Sequence, residues 1–349
     1  MINKYIKAGY VGDSSLKNVT KEDCNRLTHI NIAFGLVRND AFRRSAVTVE
    51  HLKNLDYLKI IRDYNPEIKI VLSIGGWGAG GFSIAASSQT GRDIFAGSAL
   101  EILKKYCLDG IDVDWEYPCS NAAGIDCSPE DRHNFTLMLA KLREKLDTAK
   151  AYDGNRCILS IAAGAGDYFV SDTEIPEITK ILDFISIMTY DMAGGFGGYT
   201  GHHTNLYNSV SENPVFQCSA DKAVCMFNKA GVPFEKLVLG AAFYSRRFDE
   251  VENIGTGLHQ RTLKGCNFGP TYGKIYENFL DKDGYRYYWD DNAKAPYLFN
   301  GSSFITYDDP LSLKFKCEYI KQKNMLGIMY WEHGCDNTRL LLKSININL

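Results

Sequence analysis

No apolar stretch in this 349-residue chain approaches the roughly 20 residues that span a bilayer, so no membrane-crossing helix is expected. Basic residues are not in excess either. With 39 Lys and Arg against 42 Asp and Glu the net charge is −3, which leaves nucleic acid and anionic membrane surfaces without an electrostatic attraction and makes neither an expected partner. The first residues, Met1-Ile-Asn-Lys-Tyr-Ile-Lys-Ala, lack the apolar core of a signal peptide. The product is cytoplasmic if Met1 is the native start, and secreted if a leader has been removed. Ten cysteines form no Cys-x-x-Cys pair, and their density is far below that of disulfide scaffolds. Cys119 with Cys127, and Cys218 with Cys225, could close short bridges, but free thiols are expected because several cysteines fall in core-like runs.

Other absences narrow the chemistry. There is no Gly-x-Ser-x-Gly elbow of a serine hydrolase. The glycine cluster Gly75 to Gly81 lacks both the Lys-Ser/Thr of a phosphate loop and the spacing of a dinucleotide fingerprint, so it is a turn-former. The histidine pair His202-His203 has no acid or cysteine at metal-ligand spacing, so a surface loop is expected there, with no metal and no cofactor. No low-complexity tract or solenoid repeat occurs.

What is present is enough apolar residue, 45%, for a large core. Near-continuous hydrophobic runs recur at Tyr5 to Val11, Leu27 to Phe34, Ile68 to Ile74, Gly110 to Trp115, Cys157 to Ala163, Phe184 to Tyr190, Leu237 to Tyr244 and Leu326 to Trp331. Parallel strands covered on both faces have this appearance. Amphipathic stretches at Val49 to Tyr64, Gly91 to Tyr106, Pro129 to Thr148 and Ser219 to Ala230 supply the crossovers, and Ser128 before Pro129 predicts an N-cap. Eight such strand and helix units predict an α/β fold, a (β/α)8 TIM barrel.

More than 80 residues separate Tyr244 from Leu326, and many read as antiparallel strands, with alternating aromatics in Gly284 to Asp290 and turn signals at Lys282-Asp283-Gly284 and Asn300-Gly301. A barrel over 1–244 and 321–349, with a small α+β insertion over 245–320, is therefore expected. An insertion after a barrel strand rises from the C-terminal face, where barrel active sites lie.

The most informative run is Asp109-Gly-Ile-Asp-Val-Asp-Trp-Glu-Tyr-Pro118. A strand alternates its side chains, so Asp112, Asp114 and Glu116 share one face while Ile111, Val113 and Trp115 share the other. Like charges this close repel, and at least one carboxyl should keep its proton to unusually high pH, as a general acid must. Asp109 is out of phase and is expected to cap the strand start or hydrogen-bond backbone, not to take part in catalysis.

The pattern Asp109-x-x-Asp112-x-Asp114-x-Glu116 resembles the signature of glycoside hydrolase family 18, the chitinases and their relatives. Lys69 to Trp77 resembles that family's third-strand motif, Met188-Thr-Tyr-Asp191 its sixth, Tyr244-Ser-Arg246 its seventh and Gly327 to Trp331 its eighth. The long insertion resembles the chitinase subfamily with an extra α+β domain walling a deep groove.

The resemblance implies hydrolysis of β-1,4 bonds between N-acetylglucosamine units, with retention, through a substrate-assisted route. Glu116 is then the acid. Asp114 orients the substrate's acetamido group, whose oxygen attacks C1 to give an oxazolinium ion, Asp112 shares a proton with Asp114, and Tyr190 hydrogen-bonds the attacking oxygen. Asp191 and Met188 belong beside it, and Trp331 is the floor beneath the sugar. Tyr10, Phe34, Gly76, Trp77, Tyr117, Tyr244 and Arg246 are the further expected substrate-binding residues. Ser245 replaces the family's glycine and Arg247 follows Arg246, which leaves open which arginine reaches the groove; Trp289 is an open candidate for stacking on a sugar. The expected partner is chitin or a chitooligosaccharide, bound by a monomer. Two alternatives stay open: an endo-β-N-acetylglucosaminidase acting on N-glycans, and a chitin-binding lectin, which would be expected to lack one of the three acids.

Overall fold

The computed structural model describes residues 4–39, 45–192, 198–211, 213 and 216–349. In chain order the strands are β1 (Ile6–Gly12), β2 (His29–Asn39), β3 (Ser45–Thr48), β4 (Lys69–Gly75), β5 (Gly110–Asp114), β6 (Ile158–Gly164), β7 (Phe184–Met188) and β8 (Leu237–Ala242). They continue with β9 (Tyr244–Phe248), β10 (Cys266–Thr271), β11 (Arg286–Asp290), β12 (Ala295–Phe299), β13 (Phe304–Thr306) and β14 (Gly327–Trp331). Parallel pairing runs β1-β14-β8-β7-β6-β5-β4-β2, and β1 pairs with β2 to close the ring. This is the expected (β/α)8 barrel, with all eight hydrophobic runs in place.

Two apolar layers explain why those runs are so hydrophobic. One lies between the strands and the surrounding helices and takes Ile111, Val113 and Trp115, the last stacked on Phe82 at 5.4 Å. The other fills the barrel interior with Ala8, Tyr10, Ala162, Phe184, Met188, Val238 and Met329. A strand buried on both faces needs apolar residues at nearly every position.

Three local readings change. The crossover helix expected over Val49 to Tyr64 is only Tyr57–Tyr64, because β2 runs on to pair antiparallel with β3 and a turn precedes the helix. Ser128 does not cap directly: the helix is Asp131–Leu146, and the serine's Oγ accepts the N–H of Glu130 at 3.2 Å in the turn before it. The seventh hydrophobic run is divided, with β8 ending at Ala242 and β9 leaving the barrel at Tyr244.

That division positions the insertion. From β9 the chain builds a second, antiparallel sheet in the order β10-β9-β13-β12-β11, with the helix Tyr272–Asn278 beside it. Phe248, Val251, Tyr297, Phe299 and Phe304 give it a core of its own. Helix Pro310–Lys323 then returns to the barrel, capped by Asp309, whose Oδ1 accepts the N–H of Ser312 at 2.7 Å. None of the ten cysteines is in a disulfide, and no helix among the described residues is long and apolar enough to cross a membrane.

Candidate active site

β5 runs between β4 and β6 and delivers the acids to the C-terminal rim. Asp112 is fully buried in the barrel, with Ser73 and Ser160 as its direct neighbours in register. It accepts three hydroxyl hydrogen bonds: Tyr10 and Ser73 donate to Oδ2 at 2.8 Å each, and Ser160 donates to Oδ1 at 2.6 Å. Burial still raises its pKa, against the pull of these three donors.

Asp114, one layer higher, is 4% exposed, and its Oδ1 has no hydrogen-bond partner. Burial first, then the charges of Glu116 and Asp112, push its pKa well above the carboxylate range. Glu116 stands just beyond the strand end, half-buried. Its pKa is pushed up to about 7 by burial and by the charge of Asp191, against a hydrogen bond from Tyr117. The neighbouring strand can approach this closely because β4 ends in glycine. A Cβ on Gly75 would lie 1.9 Å from the Asp114 carbonyl oxygen, and its φ of 125° disfavours any side chain.

Opposite the acids stand residues from the ends of β7, β8 and β9. The Tyr190 ring packs edge-on against Tyr244 at 6.0 Å, and burial, then Asp114 and Glu116, hold its phenol in the neutral, hydrogen-donating form. Asp191 carries φ 58° and lies between Arg246 and His203. Burial alone would raise its pKa, but hydrogen bonds from His203 and Arg246 outweigh it and keep the carboxylate ionised. Trp331 closes the β14 end, with Phe34 stacked on it at 5.3 Å. Glu116, Tyr117, Met188, Tyr190 and Asp191 line a cavity of about 480 Å³ that continues past Tyr168 and Met192. A second hollow of about 390 Å³ lies beside Phe34, Gly76 and the 60% exposed Trp77.

Most of the expected residues converge on this rim, with exceptions. Tyr10 does not line the sugar pocket as expected: it is 2% exposed and its hydroxyl is engaged by Asp112, so it supports an acid instead. Gly76 lines the hollow beside Trp77, with its N–H donating to the Asp114 carbonyl at 2.9 Å. His202 and His203 are not in a surface loop: they are 3% and 0% exposed, and they face Asp290 and Asp191. Trp289 stacks on Phe315 of the returning helix, at 5.8 Å.

Arg246, rather than Arg247, faces Asp191, while Arg247 pairs with Asp249. Asp109, at the other end of β5, is held by Arg62 and the N–H of Ile70. Ser73 and Ser160, which donate to Asp112, and His203, which faces Asp191, are neighbours of the site that the sequence pattern does not assign to it. The two serines carry a signal, a hydroxyl inside an otherwise apolar strand; His203 carries none beyond its neighbour. Among the described residues no three His, Cys, Asp or Glu side chains are grouped to hold a metal ion.

A carboxylic acid that keeps its proton near neutrality, above a buried carboxyl with a free acceptor and opposite a neutral phenol, can protonate a leaving oxygen while a second group is held from the other side. Comparisons with known proteins fit this arrangement. The chain is 38% identical over 315 residues to "Chitinase A1" of Niallia circulans, covering 85% of this chain and 44% of that one. It is 35% identical over 281 residues to "Chitinase 1" of Aphanocladium album, covering 79% and 63%. It thus spans about half to two thirds of the length of these relatives.

A solved structure described as a "novel glycoside hydrolase family 18 N-acetylglucosaminidase from Paenibacillus barengoltzii" superposes with TM-score 0.94 at 48% identity, covering 99% of this chain and 100% of that one. The model of glycosyl hydrolases family 18 matches residues 6–336. The acids on β5, the barrel that carries them and this match over nearly the whole chain agree: the protein belongs to glycosyl hydrolases family 18.

Proposed function

We propose that the protein hydrolyses β-1,4 bonds between N-acetylglucosamine units of chitin or chitooligosaccharides, with retention and with the substrate's acetamido oxygen as nucleophile. One observation carries this reading: the unpartnered Oδ1 of Asp114, buried at 4% exposure where an unsatisfied acceptor is costly. An acetamido N–H supplies the missing donor. Glu116 protonates the departing glycosidic oxygen as the acetamido oxygen attacks C1, and the C1–O bond breaks to leave an oxazolinium ion. Asp114 offsets the charge developing on that ring, with Asp112 behind it sharing a proton. The protonation states belong to the set of carboxyls.

Tyr190 donates to the attacking oxygen, and Asp191 and Met188 flank the sugar. Trp331 is its floor, extended by Phe34; Trp77, Tyr117, Tyr244 and Arg246 complete the binding surface. We assign the groove wall to the second sheet, within the insertion expected over 245–320, in a protein that acts as a monomer.

The test is a product time course on chitotetraose beside its fully de-N-acetylated counterpart, with the anomer of the first product read by NMR. Cleavage of the acetylated sugar alone, giving the β-anomer, is expected. Equal cleavage of both, or an α product, sinks the mechanism. Binding without any product returns the lectin alternative.

The 48% identity to an N-acetylglucosaminidase along the full chain favours a second reading, in which the same site releases single N-acetylglucosamine residues. Monomer as the first product from chitotetraose supports it, and dimer supports the first reading. A high-mannose glycopeptide run in parallel tests N-glycan cleavage.

A further inference from the structure

We infer that His203 is a positioning residue that fixes Asp191 from below, so that this carboxylate and the adjoining Tyr190 hydroxyl meet the reacting sugar in one orientation. The inference rests on the proposed reading, in which Asp191 contacts that sugar.

Asp191 follows β7 by three residues and turns with φ 58°, a left-handed conformation uncommon for a residue other than glycine. The turn takes its amide out of the strand ladder, and His203 Nδ1 lies 3.4 Å from that N–H. The same nitrogen lies 3.4 Å from Asp191 Oδ1. In one tautomer Nδ1 accepts from the amide, and in the other it donates to the carboxylate; in both the partner is Asp191. Arg246 contacts only the carboxylate. His203 therefore holds the part of the turn that the arginine does not.

The imidazole is itself immobilised. It is 0% exposed, and its ring packs against Tyr244 at 5.2 Å. The backbone N–H of His203 donates to Thr306 Oγ1 at 3.2 Å, and its carbonyl accepts the N–H of Met192 at 3.1 Å. The peptide following Asp191 is thus tied to the His203 main chain while Asp191 itself is tied to the side chain. Asp191, Asp308 and Arg246 are the charges that act on the ring. Burial favours the neutral imidazole, against the two carboxylates.

The experiment separates a polar contact from packing. Asparagine places an amide atom where imidazole has Nδ1, whereas leucine keeps volume without a polar atom. With chitotetraose as substrate, His203→Leu is expected to lower kcat about tenfold with KM within about threefold, and His203→Asn to keep kcat within about threefold of wild type. A packing role would instead follow the melting temperature of each variant. If His203→Leu does not fold, His203→Gln takes its place, because its amide reaches the Nε2 position and not Nδ1. An apolar or glutamine variant within about threefold of the asparagine variant overturns the inference while leaving the function intact. A wild-type protein that releases no product overturns the function, and the inference with it.

Discussion

Arg246 grips Asp191 through two parallel hydrogen bonds, Nε to Oδ1 at 2.6 Å and Nη2 to Oδ2 at 2.7 Å, while the adjacent Arg247 turns away to Asp249 at 2.8 Å. The fork geometry is specific to a guanidinium, and lysine offers only a point charge. Arg246→Lys should therefore lower kcat/KM on chitotetraose about tenfold, and Arg247→Ala should change it less than about twofold. The reverse ranking would show that the other arginine serves the groove.

Glu116 must carry its proton to act as an acid, and its pKa is pushed up to about 7. A group that works protonated is fully active below its pKa, so kcat/KM should be highest on the acidic side and decline as pH rises through about 7. Glu116→Gln should lower kcat by about 100- to 10,000-fold while oligosaccharide binding survives. A flat profile between pH about 6 and about 8, measured by reducing-end release, would remove Glu116 from the acid role.

Much of the barrel and its acids is legible in the sequence, because the informative residues are local. Eight buried strands show as apolar runs, and the three acids on and just beyond β5 show as a period-2 pattern; both properties survive in a one-dimensional sequence. Contacts that join distant segments do not. The Tyr10 hydroxyl reaches Asp112 across 102 positions, and the choice of Arg246 over Arg247 depends on where β9 leaves the barrel. His202-His203 reads as surface because a polar dipeptide without metal-ligand spacing gives no sign of burial, and only the fold shows that Asp290 and Asp191 face the two rings.

Tyr10 offers a test of the support under the acids. Tyr10→Phe removes one of three donors to a fully buried carboxyl and leaves the ring's packing in place. An acceptor deprived of one partner in this setting should cost about 1–3 kcal/mol of stability, read by urea unfolding. The lost donor also favours the protonated form of Asp112, so under the proposed mechanism, in which a proton is shared with Asp114, that proton should be retained more tightly and kcat should fall. Unchanged stability together with unchanged kcat would mean that Tyr10 only fills the core.

Where the insertion rejoins the barrel, Lys316 and Asp308 form an ion pair with both side chains fully buried. Lys316 Nζ donates to Asp308 Oδ2 at 2.6 Å and to Thr204 Oγ1 at 2.7 Å. The same Oδ2 accepts the N–H of Ala242 at the end of β8 at 3.1 Å, and Oδ1 accepts the Ser312 hydroxyl at 2.6 Å. Burial lowers the lysine's pKa, and Asp308 works against that shift. One charge cannot be removed alone without stranding the other in a dry site, so Lys316→Met should cost about 3–5 kcal/mol. Adding Asp308→Asn removes the stranded charge, keeps one oxygen for the Ala242 N–H and turns an NH2 towards the Ser312 hydroxyl, which can accept, so the double variant should recover part of that loss. Equilibrium urea unfolding of the single and double variants decides the matter. A single variant within about 1 kcal/mol of wild type, or a double variant that simply adds two losses, would mean that the pair does not hold the insertion to the barrel.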